Sequence, residues 1–430
     1  MSRPNQSLRV LVPGCVFDEK LDDELEAIFH EDTGILNVLT PGLHSRGAAT
    51  IPCPLLESAE ALPKWAKELL QPSCRELSRK ELLAHIVSST HSDDDGMLGV
   101  EPQFVFEETN YRAHLEDESF QVYLYWDRGM LNAVGSMGQF EVERYDITRN
   151  IFSRNTGILE TDVMAEKRAV ILGCGSVGSL VAAELARSGV GHFLLVDMDL
   201  LEYHNVCRHQ CGVLDVGRRK PDVVQDLILN INPLAHVETF YAEVQLAPLE
   251  LLQHWCVPKD TIILGCADNR EVDRYANIIA SNYDVAFLSI GFWERAFAGE
   301  VFYWLPDHGH ACYACALGES TLSQRVEANH HIYTSQTDLA AVNFEPGIAV
   351  DIDFVTVVGS KLALDILNRG DQRYTQRLLP HLTQYTLICN TNEPAVGGEM
   401  ADIFSYPLQV TTSIRVRSKP GCRTCSERSK

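Results

Sequence analysis

Basic residues are in short supply: 36 Lys and Arg stand against 59 Asp and Glu, a formal charge of −23. Nucleic-acid binding rests on clustered cations that neutralise phosphates, so this balance argues against that class of partner. A protein partner is expected to dock through a neutral or basic surface. Long apolar runs are missing too. The longest uncharged stretch, Ala169 to Ala183, is interrupted by three glycines and is too short to cross a bilayer, so no membrane role is expected. The opening MSRPNQSLRVLVPG reads as a strand at Leu8–Val12 and not as a secretory signal. Cysteine itself is plentiful; what the chain lacks is a cysteine framework. The thirteen cysteines are odd in number and irregularly spaced, which predicts reduced thiols and a metal site in the cytoplasm, not a disulfide scaffold.

What is present divides into two parts. Residues 1–145 read as an accessory domain, α/β or α+β, of unknown role. They carry helical patterns in LDDELEAIF and ALPKWAKELL, a polar break at HSDDDG (91–96), and a strand-like run, Phe120–Trp126, followed by Gly-rich turns. They hold no constellation that carries chemistry, and suit a recruitment module or a decayed relative of the second domain equally. Residues 146–430 alternate strands and helices. Strands are expected at Ala169–Leu172, His192–Val196, Val237–Tyr241 and Thr261–Gly265, with helices at Ser179–Ser188, Pro221–Ile231 and around Ala247–Trp255. That rhythm predicts a mostly parallel sheet covered on both faces, a Rossmann-like α/β domain.

The turn between the first strand and helix is GCGSVG. Gly173 permits a tight turn, Gly175 lets the backbone approach a phosphate, and Gly178 lets the helix pack close to the sheet. The helix N-terminus then offers free N–H groups to an anion. Asp197 stands nineteen residues beyond Gly178, at the end of the next strand, where a carboxylate accepts hydrogen bonds from ribose hydroxyls. These features predict a nucleotide site without choosing between a nicotinamide cofactor and ATP.

The choice comes from the polar loop that follows. Asn205, Arg208 and Lys220 lie on it, and a dehydrogenase leaves that Arg and Lys without a task. An ATP site needs cations on the attacked α-phosphate and the departing pyrophosphate. Asp268, just past the strand Thr261–Gly265, can hold Mg²⁺ against the phosphates. Taken singly, Arg208 or Lys220 is more simply a surface charge, and Asp268 a helix N-cap. Their occurrence together with the glycine turn and Asp197 favours the ligand reading.

Cys312-Tyr-Ala-Cys315 and Cys422-Arg-Thr-Cys425 are two matched knuckles. Each presents two thiolates on one turn, and the pair completes a tetrahedral Cys₄ site for structural Zn²⁺. A thioredoxin-like redox pair is the rival for either alone, but neither follows a strand to open a helix in the way that motif requires.

The order G-x-G-x-x-G, D-x-D, N-x-x-R, K, then D-N followed by R and N resembles the ubiquitin-activating and thiamine/molybdopterin-biosynthesis (ThiF-type) adenylyltransferase superfamily. The resemblance covers about Arg149–Cys425. It implies an acyl-adenylating enzyme that uses ATP and Mg²⁺. Asp197 would sit on ribose, and Asn205, Arg208 and Lys220 on the phosphates. Asp268 would govern Mg²⁺ and the attack of a substrate carboxylate. It further implies a homodimer, an arginine before the first strand (Arg154, or Arg149 beside it) serving the site, and zinc at the knuckles. The substrate would be a ubiquitin-like or sulfur-carrier protein, or else a ribosomally made peptide. His209 stands where the family often carries Gln. The chain also departs from the pattern by lacking a cysteine between Cys315 and Cys389, where smaller members keep their thioester nucleophile. Cys389 reads as buried. Cys207 and Cys211 flank Arg208 and are weak candidates, Cys15, Cys53 and Cys74 lie in the first domain, and direct transfer from the adenylate needs none of them. His330 and His331 read as loop residues before they read as general bases.

Overall fold

The computed structural model describes residues 8–18, 25–30, 33–40, 50–70, 122–316 and 346–426. The chain forms two compact units, 1–150 and 151–430. None of the described helices is long and apolar enough to cross a membrane.

In the first unit, eight strands follow the order β4-β2-β3-β1-β8-β7-β6-β5. They are β1 (Arg9–Pro13), β2 (Leu25–His30), β3 (Ile35–Val38), β4 (Ile51–Cys53), β5 (Leu55–Leu56), β6 (Val122–Asp127), β7 (Met130–Gly135) and β8 (Gly138–Tyr145). The run β6–β7–β8 is an antiparallel meander, its first turn using Arg128 and Gly129 at positive φ. ALPKWAKELL yields a helix, Lys64–Leu69. LDDELEAIF does not: Leu25–His30 is a strand between β3 and β4. Its burial alternates, with Leu25, Ala27 and Phe29 inside, so a period of two outweighed the helix-favouring acidic residues before it. The HSDDDG break lies outside the described residues.

The second unit is the α/β body. Its strands are β9 (Arg168–Leu172), β10 (His192–Asp197), β11 (His236–Tyr241), β12 (Thr261–Gly265), β13 (Ala286–Phe292), β14 (Ala298–Trp304), β15 (Tyr385–Cys389) and β16 (Val410–Thr411). They lie in the order β11-β10-β9-β12-β13-β14-β15-β16, the first five parallel and the last three antiparallel. The main helices are α1 (Ser176–Arg187), α2 (Lys220–Ile231), α3 (Leu249–Trp255), α4 (Arg270–Asn282) and α5 (Ala349–Leu367).

Strand composition explains this layering. Ala169, Ile171, Phe193 and Leu195 enter one buried cluster with α1, α2 and α5, while Val170, Leu172, Leu194 and Val196 enter another with α3 and α4. Successive residues of a strand point to opposite faces, so a continuous apolar run can only be satisfied by cover on both sides. Each fully buried Val, Leu or Ile contributes roughly 1.5–3 kcal/mol, which makes the central strands a rigid platform. Strand order reverses between β9 and β12, and the carboxyl ends flanking that reversal are where open α/β sheets hold ligands.

Candidate functional site

The glycine turn has the conformation its sequence demands. Gly173 sits at φ +97°, and a β-carbon there would lie 2.7 Å from the Ala267 nitrogen. A β-carbon on Gly178 would collide with the Gly173 carbonyl oxygen, so this residue sets the close approach of α1 to the turn. Gly175, the residue before α1, offers no side-chain cap, and the space over its Cα is open. The first N–H groups of α1 are therefore available to an anion.

Asp197 ends β10 and anchors the turn. Its Oδ2 accepts from the Cys174 N–H at 2.6 Å and its Oδ1 from the Asp199 N–H at 2.8 Å. Burial, partly offset by these bonds, pushes its carboxyl above the ordinary value. His209 braces the turn from the other side. Its Nδ1 accepts from the Cys211 N–H at 3.0 Å, which leaves Nε2–H to donate to the Cys174 carbonyl at 2.8 Å. Both ring nitrogens are thus spent on backbone, and burial pushes the imidazole pKa down. The residue at the Gln position lines the cleft while both its ring nitrogens support the turn.

The cations come from the loop after β10. Lys220 opens α2, is buried, and places Nζ 2.7 Å from Asp199 Oδ2. Asp199, the second acid of D-x-D, is a site residue that no local signal in the sequence marks; its pairing with Lys220 appears only in the fold. Asn205 closes a short 3₁₀ turn, its Oδ1 accepting from the Glu202 N–H at 2.9 Å, and Arg208 follows with its N–H on the Asn205 carbonyl. Across the reversal point, Asp268 lies beyond β12. The cap of α4 is Asn269, whose Oδ1 accepts from the Glu271 N–H at 2.9 Å, so capping does not explain Asp268.

One cleft of about 640 Å³ gathers Gly173, Gly175, Asp197, Asn205, Arg208, Lys220 and Asp268 on its walls. Pairing of Asp197 with Tyr241 across β10 and β11 carries residues 242–245 past the same strand ends as Met198, and Met198, Ala242 and Val244 line the cleft together with Glu243 and Gln245. Gly178 is not among the lining residues; it packs against the Gly173 carbonyl and Ile171. Arg154 is not brought to the cleft. It is exposed, and its neighbour Asn155 donates to the Arg187 carbonyl at the far end of α1. With about 1.5 Å of rise per residue, twelve residues of α1 put it roughly 18 Å from the glycine turn. Arg149 is also exposed, on the short helix Ile147–Ile151.

The four knuckle sulfurs converge: those of Cys312, Cys315, Cys422 and Cys425 lie within 4.8 Å of one another. Cys312 and Cys422 are 3.5 Å apart, Cys315 and Cys425 3.9 Å. A tetrahedral zinc with bonds of about 2.3 Å requires sulfur separations of about 3.8 Å, so the quartet fits that ion. Two backbone donors support thiolate character: the Cys312 N–H on Cys425 Sγ at 3.4 Å and the Lys419 N–H on Cys315 Sγ at 3.2 Å. It is the only such quartet of His, Cys, Asp or Glu among the described residues.

Elsewhere, Cys53, Cys174, Cys211, Cys256, Cys266 and Cys389 are buried, and Cys207 alone among the described cysteines is exposed. Burial holds the Cys174, Cys266 and Cys389 thiols above their ordinary value, which suits packing and not attack. Cys15 is half-buried; Cys74, His330 and His331 lie outside the described residues.

Comparison with known proteins assigns the chain to a family. The ThiF family model matches residues 147–397, and the chain belongs to that family. Its curated relatives include ubiquitin-like modifier-activating enzyme 5 of Bombyx mori, 26% identical over 197 residues (44% of this chain and 49% of that protein). The Mus musculus protein of the same name is 27% identical over 186 residues (39% and 45%). The chain thus spans about half the length of these relatives. A crystal structure of E. coli MccB with ATP aligns over 65% of this chain and 75% of that one, at 20% identity and a TM-score of 0.46.

Proposed function

We propose that this chain is an adenylyltransferase that activates the C-terminal carboxylate of a ubiquitin-like or sulfur-carrier protein, using Mg-ATP and releasing pyrophosphate. The observation that carries the reading is the single cleft in which Asp197, Asn205, Arg208, Lys220 and Asp268 meet an uncapped helix N-terminus at the strand-order reversal. Adenine would rest against Met198, Ala242 and Val244, with its ribose on Asp197. The triphosphate would run over the start of α1 toward Arg208 and Lys220, competing with Asp199 for the ammonium. A carboxylate oxygen attacks the α-phosphorus, the bond to the bridging oxygen of the β-phosphate breaks, and pyrophosphate leaves. Arg208 and Lys220 neutralise the charge that grows on the leaving group, the electrostatic role that dominates such transfers. Asp268 would hold Mg²⁺, which would supply positive charge against the phosphates. Zn²⁺ on Cys312, Cys315, Cys422 and Cys425 is structural, since a closed shell leaves no coordination site for substrate. The chain works as a cytoplasmic homodimer in which Arg154, remote from its own cleft, serves the cleft of a second copy.

A second reading has one observation in its favour. The absence of cysteine between Cys315 and Cys389 suits direct transfer from the adenylate, as in the modification of a ribosomally made peptide without a thioester step. Exchange of labelled pyrophosphate into ATP, driven by candidate carriers or peptides, tests both. Exchange with a carrier ending in Gly-Gly supports the first reading, exchange with peptides alone supports the second, and exchange with neither sinks both. Mass spectrometry of the trapped protein then reads whether any cysteine carries the acyl group.

A further inference from the structure

A chain of buried polar contacts leads from the sulfur quartet to the wall of the cleft, and we propose that Tyr313 is a positioning residue linking metal occupancy to the placement of Asp268. Tyr313 stands between Cys312 and Cys315 and is 1% exposed. Its backbone N–H donates to Asn277 Oδ1 at 2.7 Å, and its phenol donates to Asp273 Oδ2 at 2.8 Å. The same Oδ2 accepts from Ser289 Oγ at 2.7 Å. The ring is wedged edge-on between Phe287 and Phe302, at 5.9 and 5.2 Å.

Both contacts fall on one face of α4, because residues four apart share a side of a helix. Asp268 and the cap Asn269 immediately precede that helix. Asp273 also fixes the other flank of Asp268. A β-carbon at Gly265, the last residue of β12, would collide with Asp273 Oδ1, so the carboxylate packs directly on the strand end. The short segment carrying Asp268 is therefore held at both ends by one buried carboxylate whose place depends on Tyr313. A buried carboxylate that loses a hydroxyl donor loses stabilisation it cannot recover from water. Metal bonds to Cys312 and Cys315 fix the backbone on either side of Tyr313. With the thiols unligated, the strut has one loose end. A metal that only stapled the C-terminal segment to the domain would have no such reach.

The test uses the full chain, zinc-loaded and chelator-stripped, as wild type and as Tyr313→Phe, with metal content measured. Hydrogen exchange by mass spectrometry is followed in peptides spanning 266–282 and, for comparison, 192–197. Stripping zinc is expected to speed exchange in 266–282 about tenfold or more, ahead of 192–197. Tyr313→Phe, with zinc retained, is expected to show the same local acceleration. The kinetic consequence rests on the adenylation reading: the Mg²⁺ concentration for half-maximal pyrophosphate exchange should rise about tenfold in that variant, with the rate at saturating Mg²⁺ falling less than about threefold. Asn277→Ala, which removes the acceptor of the Tyr313 N–H and leaves the phenol contact, should move exchange in the same direction should Tyr313→Phe fail to fold. The strut is overturned by a zinc-bound variant with wild-type exchange in 266–282, or by stripping that accelerates the whole second unit evenly. A wild-type protein without pyrophosphate exchange sinks the adenylation reading alone, because the hydrogen-exchange comparison still decides the strut.

Discussion

The cleft and the sulfur quartet sit in the same α/β unit and are built on opposite plans. The cleft takes most of its charged side chains from one stretch of chain, Asp197 to Lys220, joined by Glu243 and, from across the strand reversal, by Asp268. It balances much of its charge internally: Lys220 pairs with Asp199, and Asp197 is satisfied by two backbone N–H groups. The quartet draws on segments 110 residues apart and collects four cysteine sulfurs with two backbone N–H donors. A site balanced within the chain can fold first and bind later. A site that gathers like charges has its stability tied to the cation it takes, so binding and folding are linked there. The cleft should accordingly answer mutation in its kinetics, and the quartet in its stability.

Four measurements would break or sharpen that contrast. Arg208→Ala and Lys220→Ala should each lower pyrophosphate exchange about 10²- to 10³-fold while leaving the melting temperature near that of wild type, since the Asp199 left behind is half-exposed. A melting temperature that fell in step with activity would erase the distinction. Cys312→Ser should do the reverse, losing bound zinc by elemental analysis and lowering the melting temperature by about 10 °C or more. A variant that melted like wild type would make the quartet dispensable. Gly178→Ala crosses the divide, because the glycine is part of the cleft's motif yet acts as packing. The collision with the Gly173 carbonyl should cost roughly 2–3 kcal/mol in denaturant unfolding, and nucleotide affinity should fall with it. The smallest effect is expected from His209→Gln, since an amide can accept from the Cys211 N–H and donate to the Cys174 carbonyl as the imidazole does. Its signature is in pH. Burial lowers the folded pKa of His209, so below about 6.5 the unfolded state binds a proton the folded state refuses, and stability falls as pH drops. The glutamine variant should lose that part of the slope; equal slopes in melts between pH 7.5 and 5 would show that His209 does not contribute it.

Much of the second unit could be read in advance because its signals are local. Gly173, Gly178 and the buried strands around them obey steric rules that hold in any context, and expected and observed elements differ there by a few residues at most. Arg154 marks where such reading ends. Its place in the motif order says nothing of which end of α1 it lies beside, and in its own chain it lies at the far end. Leu25–His30 marks another limit, where acidic residues suggested a helix and pairing with β3 and β4 made a strand. His209 reads in the sequence as a family position to be matched, yet its ring is consumed by two backbone partners.

The sequence by itself determined the glycine turn, the acid that ends the next strand, the cationic loop and the paired knuckles, because each depends on residue type at short spacing. Only the tertiary structure decided that Asp199 holds Lys220, that Asn269 relieves Asp268 of capping, and that Tyr313 reaches Asp273. Those contacts join residues whose separation in the chain carries no periodic signal, and they arise when a two-faced sheet brings loops from distant crossovers to one edge.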